Sequence, residues 1–203
     1  RKEHIYVTGS PMKEVILAKQ EEIAGSKVLM QLGLKEKGYI VLSAHREENI
    51  DNEAHFESLM NAVNTMAETY QMPVVYSLHP RSAKFVKERS FQFHPLVTAM
   101  PPFNFTDYSA LMRHAYCVVS DSGTMPEETA VSRFPAVCIR TSTERPEALD
   151  KGCFVIGGIT GESLLQSVDM AVKMAEQGDF GETVSDYDAE HVSSAVIRII
   201  QSY

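Results

Sequence analysis

One succession of strand, turn, helix and strand constrains the fold more than any other part of this sequence. An apolar run at 116–119 predicts a buried strand, which ends at the turn-forming residues 120–123. The acidic pair Glu127 and Glu128 favours the first turn of a helix, and the apolar run at 136–139 predicts a second buried strand. Such a unit is the building block of a parallel sheet covered by helices.

The rest of the chain repeats this alternation. The other predicted strands are 39–43, 74–78, 96–100 and 154–156, with a short strand at 5–7. The predicted helices are 12–34 with a break at Gly25-Ser26, 52–70, a helix centred on 84–87, 109–114, 162–177 and 192–200. Because strands and helices alternate about six times, we expect an α/β fold with a doubly wound, Rossmann-like parallel sheet of about six strands.

Composition narrows the class of protein. With 203 residues, of which 44% are hydrophobic, the chain is long enough for one sizeable core. The net charge of −8 argues against a general nucleic-acid or anionic-membrane surface. No apolar run approaches the roughly 20 residues that cross a bilayer, so we expect a cytoplasmic protein. The three cysteines lack C-x-x-C spacing and are expected to be buried thiols. The absence of an initiator Met is typical of a cut fragment.

The turn at Ser122-Gly123 suits an anion. A helix that begins after a strand presents unpaired N–H groups to a phosphate, and Gly123 allows close approach of the backbone. Glu128, one turn further on, is placed to accept hydrogen bonds from a ribose diol. The alternative is that Asp121-Ser122 caps the helix and that Glu127 and Glu128 only occupy its favourable first turn.

Two further polar clusters follow predicted strands. His45 and Arg46 come after 39–43, and His79 and Arg81 come after 74–78. Because ligands of open α/β sheets bind at the carboxyl ends of the strands, we expect these clusters and the Ser122-Gly123 turn to share one rim. The alternatives are a surface capping role for His45 and Arg46, and a solvated strand end for the second cluster.

Four ordered motifs carry a resemblance to a known family. The segments D-S-G-T-M-P-E-E-T-A at 121–130 and T-S-T-E-R-P-E-A at 141–148 are similar to motifs of the non-hydrolysing UDP-N-acetylglucosamine 2-epimerases. Upstream, S-A-H-R-E-E-N at 43–49 and S-L-H-P-R at 77–81 match in the same order. The opening V-T-G-S-P at 7–11 is similar to the segment that joins the two halves of these enzymes.

The resemblance covers essentially the whole chain but only the C-terminal half of the family. It implies that residues 1–203 form the UDP-binding domain of a two-domain, glycosyltransferase-B-type enzyme, with 1–38 as linker and leading helices. The enzyme would invert C2 of a UDP-2-acetamido sugar by eliminating and readding UDP, without nicotinamide or metal. The acid/base carboxylates would lie in an N-terminal domain that this chain lacks, so we expect the isolated chain to bind UDP weakly and to be inactive.

The resemblance also assigns roles to residues. His45 would be catalytic, beside the diphosphate. The implied UDP-binding residues are Arg46, Ser122, Gly123, Thr124, Glu128 and Arg145. Contact with the nucleotide sugar is expected for His79, Arg81 and Tyr108. As alternatives, Arg145 pairs with Glu144 or Glu147, and Tyr108 packs with Phe103 and Phe105 instead of forming a wall for uracil.

The expected partners are UDP or a UDP-N-acetyl hexosamine, and the full-length enzyme is expected to be a homodimer. The motifs depart from the family at Thr124, Pro126 and Glu47, where a Gly, a Gln and a basic residue are usual. The segment D-S-G-T-M-P-E-E and the tail from Tyr187 look more like the branch that makes UDP-N-acetyl-L-fucosamine for capsule and O-antigen. Other readings remain open: a hydrolysing 2-epimerase, half of a UDP-sugar glycosyltransferase, or a nucleotide-sugar binding module without catalysis.

Overall fold

The computed structural model describes residues 4–140 and 145–203. Its strands are β1 Ile40–Ser43, β2 Val74–Ser77, β3 Val97–Met100, β4 Cys117–Ser120, β5 Ala136–Ile139 and β6 Val155–Gly157. These strands form one parallel sheet in the order β3-β2-β1-β4-β5-β6. The prediction of a doubly wound sheet of about six strands is therefore confirmed.

Helices precede the first strand and follow each of the six strands along the chain. They are α1 Met12–Ala18, α2 Gln20–Ala24, α3 Val28–Gln31, α4 Glu47–Ile50, α5 Glu53–Tyr70, α6 Pro80–Glu88, α7 Phe105–His114, α8 Met125–Ser132, α9 Pro146–Asp150, α10 Gly161–Glu176 and α11 Val192–Gln201. A short 3-10 turn spans Ser185–Tyr187. Within the described residues, no helix combines the length and the apolar character that a bilayer crossing requires.

The sheet is covered on both faces because its side chains alternate in direction. Ile40 and Leu42 belong to a core shared with α5 and α10, whereas Val41 faces a second core that includes residues of α7 and α8. All three side chains are fully buried. Most of the strands thus read as continuous apolar runs in the sequence, which is why they could be predicted.

Two predictions about the amino-terminal segment need correction. The predicted strand at 5–7 is wrong: these residues are irregular, and Ile5 and Val7 are exposed. An apolar triplet becomes a strand only where a neighbouring strand offers its backbone, and the sheet here ends at β3 and β6. The predicted helix at 12–34 is three helices, interrupted at Lys19 as well as at the expected break beside Gly25.

Candidate functional site

The candidate site lies where the strand order reverses. β1 pairs with β4, so that Ser43 lies opposite Ser120, while β2 extends the sheet on one side and β5 on the other. The connections that leave β1 and β4 therefore separate and open a crevice between them. His45 and Arg46 follow β1, and Asp121 to Gly123 follow β4. The structure thus brings together two of the predicted clusters.

Asp121 links the two connections. Its side chain is fully buried, and its carboxylate accepts hydrogen bonds from the backbone N–H groups of His45 and Arg46, both at 2.9 Å. The side-chain amide of Asn49 donates to the same oxygen, Oδ2, at 3.1 Å. Asp121 therefore does not cap α8. It instead satisfies donors at the amino end of α4, where a carboxylate is electrostatically favoured.

His45 stands against this carboxylate. Its ring Nδ1 lies 3.2 Å from Oδ1 of Asp121, and about one third of its side chain is exposed. The ring of His79 is 5.6 Å away between centroids. The histidines that follow β1 and β2 are therefore neighbours on the rim.

The turn after β4 leads directly into α8. The Ser120 hydroxyl accepts from the backbone N–H of Ser122 at 3.0 Å, and the Ser122 hydroxyl lies 3.0 Å from that of Thr124. Pro126 is in the first turn of α8, where a residue without an N–H group is tolerated because no intrahelical partner exists there. The departure from the family pattern at Pro126 is thus compatible with an ordinary helix start.

Glu128 is almost buried, with 8% of its surface exposed. Burial raises the pKa of its carboxyl to about 7, and the neighbouring charge of Glu127 acts in the same direction. The Thr124 hydroxyl donates to it at 3.4 Å and opposes this rise. Tyr108 is close by: burial and the Glu128 carboxylate both raise its pKa. Tyr108 and Phe103 pack against the second core, as the packing alternative expected, whereas Phe105 is exposed and does not belong to that core.

Arg145 and Glu127 form a second polar contact at the edge of the site. The guanidinium Nη2 of Arg145 lies 2.7 Å from Oε1 of Glu127, and Glu127 also accepts a hydrogen bond from Ser10. Glu147 accepts from the Tyr187 hydroxyl at 2.5 Å. The alternative role expected for Arg145 was an ion pair with Glu144 or Glu147. Glu144 is among residues 141–144, which lie outside the described residues, and Arg145 contacts Glu127.

Beside this contact lies a cleft of about 420 Å³. Residues 6–11 form one wall, and Glu127, Arg145 and Tyr187 are among the residues of the other. Gly9 has a φ of +85°, and a Cβ at this position would lie 2.9 Å from the carbonyl oxygen of Asp186. Only glycine fits this conformation without strain. The V-T-G-S-P segment is therefore packed against the site rather than detached from it.

Arg81 lies on the same rim but is held by carboxylates. It binds Asp51 through Nη2 and Nε, at 2.5 and 3.1 Å, and Glu47 through Nη1 at 2.8 Å. His79 caps α6, since its Nδ1 accepts from the backbone N–H of Arg81 at 3.3 Å. The alternative of a solvated strand end is compatible with these contacts, because His79 is exposed and the ion pairs of Arg81 with Glu47 and Asp51 lie at the surface. Contact of these residues with a nucleotide sugar stays a prediction.

Sequence reasoning missed three buried polar residues of the site: Asp121 as the partner of His45, Asn49, and Glu127 as the partner of Ser10 and Arg145. The signal for Asp121 is its place directly after a buried strand that borders β1. That signal can be used only once the strand order is known, since His45 and Asp121 are 76 positions apart.

Comparison with known proteins bears on the family of this chain. The family model described as UDP-N-acetylglucosamine 2-epimerase matches residues 1–201. The UDP-N-acetylglucosamine 2-epimerase of Methanococcus maripaludis is 27% identical over 84% of this chain and 49% of the relative. The chain thus spans about half the length of this curated relative.

Two solved structures share the fold. The UDP-N-acetylglucosamine 2-epimerase of Rickettsia bellii is 30% identical, with a TM-score of 0.83 over 97% of this chain and 53% of that protein. The enzyme of Methanocaldococcus jannaschii, solved with UDP-GlcNAc and UDP, superposes with a TM-score of 0.85 over 100% of this chain and 56% of that protein, at 21% identity. Together with the family match over residues 1–201, this likeness shows that the chain belongs to the UDP-N-acetylglucosamine 2-epimerase family.

Proposed function

We propose that this chain is the UDP-binding half of a UDP-N-acetylglucosamine 2-epimerase, and that residues 1–38 contribute the linker and leading helices. The observation that carries the proposal is the meeting of the α8 amino end, Glu128 and His45 at the point where the strand order reverses. Open α/β sheets bind ligands at this point, and a helix amino end favours phosphate. The M. jannaschii relative, solved with UDP-GlcNAc and UDP, supports the choice of nucleotide.

In the proposed mode of binding, the diphosphate lies at the turn of Ser122, Gly123 and Thr124. The backbone N–H groups and hydroxyls of this turn, together with the guanidinium of Arg46, stabilise its charge. Glu128 accepts hydrogen bonds from the ribose hydroxyls. Arg145 supports the site from the side of Glu127, 2.7 Å away. Tyr108, close to Glu128, and His79 and Arg81, on the rim beside His45, are assigned to contact with the nucleotide sugar.

The proposed reaction is elimination of UDP from a UDP-2-acetamido sugar to a 2-acetamidoglucal, followed by readdition of UDP with protonation of C2 on the opposite face. His45 gives a proton to the departing phosphate and takes it back on readdition. Removal of the C2 proton needs a base that we assign to a preceding domain of a longer enzyme. We further propose that this enzyme works in the cytoplasm as a homodimer, in the synthesis of capsule or O-antigen sugars.

Calorimetric titration of the chain with UDP tests the proposal. We expect saturable one-to-one binding, weakened about tenfold or more in Glu128→Ala because hydrogen bonds to a charged group contribute about 1.5 to 3 kcal/mol. His45→Ala should weaken binding as well. Glu162→Ala is the matched control, since Glu162 is an exposed glutamate in the first turn of α10, after β6.

The control variant should bind like the wild type, and CDP and ADP should bind more weakly than UDP. Absence of heat at about millimolar UDP, with circular dichroism showing a folded chain, would contradict the proposal that this half forms a site on its own. Equal binding of wild type and Glu128→Ala would remove the ribose role from Glu128.

A further inference from the structure

We propose that Asp121 is a positioning residue that fixes the tautomer of His45, keeping the proton on Nδ1 and making Nε2 the nitrogen that exchanges protons. The assignment of the phosphate as the proton's acceptor rests on the proposed function; the tautomer itself does not. Nothing in the sequence motifs separates this role from that of a helix cap.

Three hydrogen-bond donors surround the Asp121 carboxylate. Its Oδ2 accepts from the backbone N–H groups of His45 and Arg46 and from the amide of Asn49, all within 3.1 Å. The same groups hold the carboxylate in one orientation. Its Oδ1 then faces Nδ1 of His45 at 3.2 Å. A carboxylate oxygen can only accept, so at this distance a hydrogen on Nδ1 is favoured over a lone pair there.

The contact of Nδ1 with Asp121 leaves Nε2 as the nitrogen of His45 that exchanges protons. With the hydrogen on Nδ1 facing Asp121, the neutral ring has its lone pair on Nε2, and a proton enters or leaves the ring at Nε2 alone. When the ring is protonated, the fully buried carboxylate beside it balances the positive charge. In the proposed reaction the Nε2 proton moves to the phosphate oxygen as its bond to C1 breaks, and the ring returns to the neutral form that Asp121 already holds.

The neighbouring His79 has the opposite arrangement. Its Nδ1 accepts from the backbone N–H of Arg81 at 3.3 Å, so a neutral His79 carries its proton on Nε2. The two rings, 5.6 Å apart, should therefore be opposite tautomers in one molecule. This contrast provides an internal reference for measurement.

The test is the tautomer of each histidine, measured by long-range proton–nitrogen NMR correlation on the nitrogen-15-labelled chain without nucleotide. The spectra are recorded under conditions in which the nitrogen-15 shifts themselves show both rings to be neutral. We expect His45 as the Nδ1–H form and His79 as the Nε2–H form, with signals assigned by the loss of one set in His45→Gln. Detection of His45 as Nε2–H in the wild type would overturn the proposal without any variant.

Asp121→Asn is the decisive variant. An amide has one oxygen, which replaces Oδ2 against the two backbone N–H groups, and its NH₂ group then donates to Nδ1 of His45. We expect complete inversion of His45 to the Nε2–H form, with His79 unchanged. A role of Asp121 limited to holding the backbone predicts no inversion, and retention of Nδ1–H in a folded variant would refute the positioning role.

Asn49→Ala is the matched control, because it removes another contact of the same carboxylate without touching the contact to His45. The tautomer of His45 should stay Nδ1–H in this variant, and a change would mean that the Asn49 contact sets the ring instead. Since the readout needs no nucleotide, failure of UDP to bind would count against the proposed function and leave this result standing.

Discussion

Glu128 illustrates how burial changes a single residue. It occupies the first turn of α8, where the helix dipole favours negative charge, yet its surroundings favour the neutral acid. A glutamate at this place is compatible with folding because it can keep its proton. The contact to ribose hydroxyls that we propose for it is strongest with the ionised form, so stability and the proposed binding make opposite demands on this side chain.

We therefore expect chain stability to fall as the pH rises from about 4.5 to about 7. In this range the folded carboxyl keeps its proton while the unfolded one has lost it, so the folded state binds more protons and unfolding is favoured by raising the pH. The stabilisation is complete below about pH 4.5, and a loss on the order of 3 kcal/mol accumulates by about pH 7.

Urea unfolding of the wild type and Glu128→Gln at about pH 5 and about pH 8 checks this expectation. The amide cannot ionise, so the variant should gain stability relative to the wild type as the pH rises. Parallel pH profiles of the two proteins would show that Glu128 is ionised in the folded chain throughout this range.

At the scale of elements, the connection that follows α10 packs against the loop between α9 and β6. The backbone N–H of Glu182 donates to the carbonyl of Lys151 at 2.8 Å, and Gly181 has a φ of +77°. A Cβ on Gly181 would lie 2.3 Å from that same carbonyl oxygen. The two loops can therefore approach this closely only with glycine at 181.

Gly181→Ala should lower the free energy of unfolding by about 2 kcal/mol or more beyond the effect of Gly178→Ala. Gly178 has nearly the same φ, +78°, but a Cβ there would meet no atom within 4 Å. Its substitution should cause only the backbone strain of a left-handed residue, about 1 to 2 kcal/mol. Equal denaturation midpoints of the two variants would mean that the two loops can separate without lowering the free energy of unfolding.

Some of these elements could be predicted from the sequence and others could not. The strands lie within about a residue or two of the predicted ranges, because buried parallel strands are apolar runs bounded by turn residues. The helices Glu47–Ile50 and Pro146–Asp150 were not predicted, since four or five residues are too few to show a helical period. The contact between Asp121 and His45 depends on the pairing of β1 with β4, which no local pattern contains.

In the whole molecule, the buried fraction of the side chains differs between elements. We expect the local stability of the elements to differ in the same way. The residues from Ile40 to Leu42 and from Cys117 to Val119 are fully buried, whereas Val192 is the buried residue of α11, and Ile197 and Ile200 are 60% and 64% exposed. Segments with few buried apolar contacts open locally with a small free energy. The centre of the sheet and the last helix should therefore differ in local stability.

Hydrogen–deuterium exchange followed by mass spectrometry should reveal this difference. Peptides from β1 and β4 are expected to exchange only on global unfolding, and peptides from α11 orders of magnitude faster through local opening. The fully buried strand β5 is the control and should match β4. Protection of α11 equal to that of β4 would contradict this ranking of the elements.

The two ends of the described chain lie side by side. The ring of His4 is 5.9 Å from that of Tyr203, Lys13 pairs with Asp188 at 2.7 Å, and Glu14 accepts from the backbone N–H of Ser193 at 3.1 Å. A short linker could therefore close the polypeptide into a ring, and the ring could be cut in an exposed loop elsewhere without breaking a buried contact. We therefore expect the domain to keep its fold when its segments are joined in a different order along the chain.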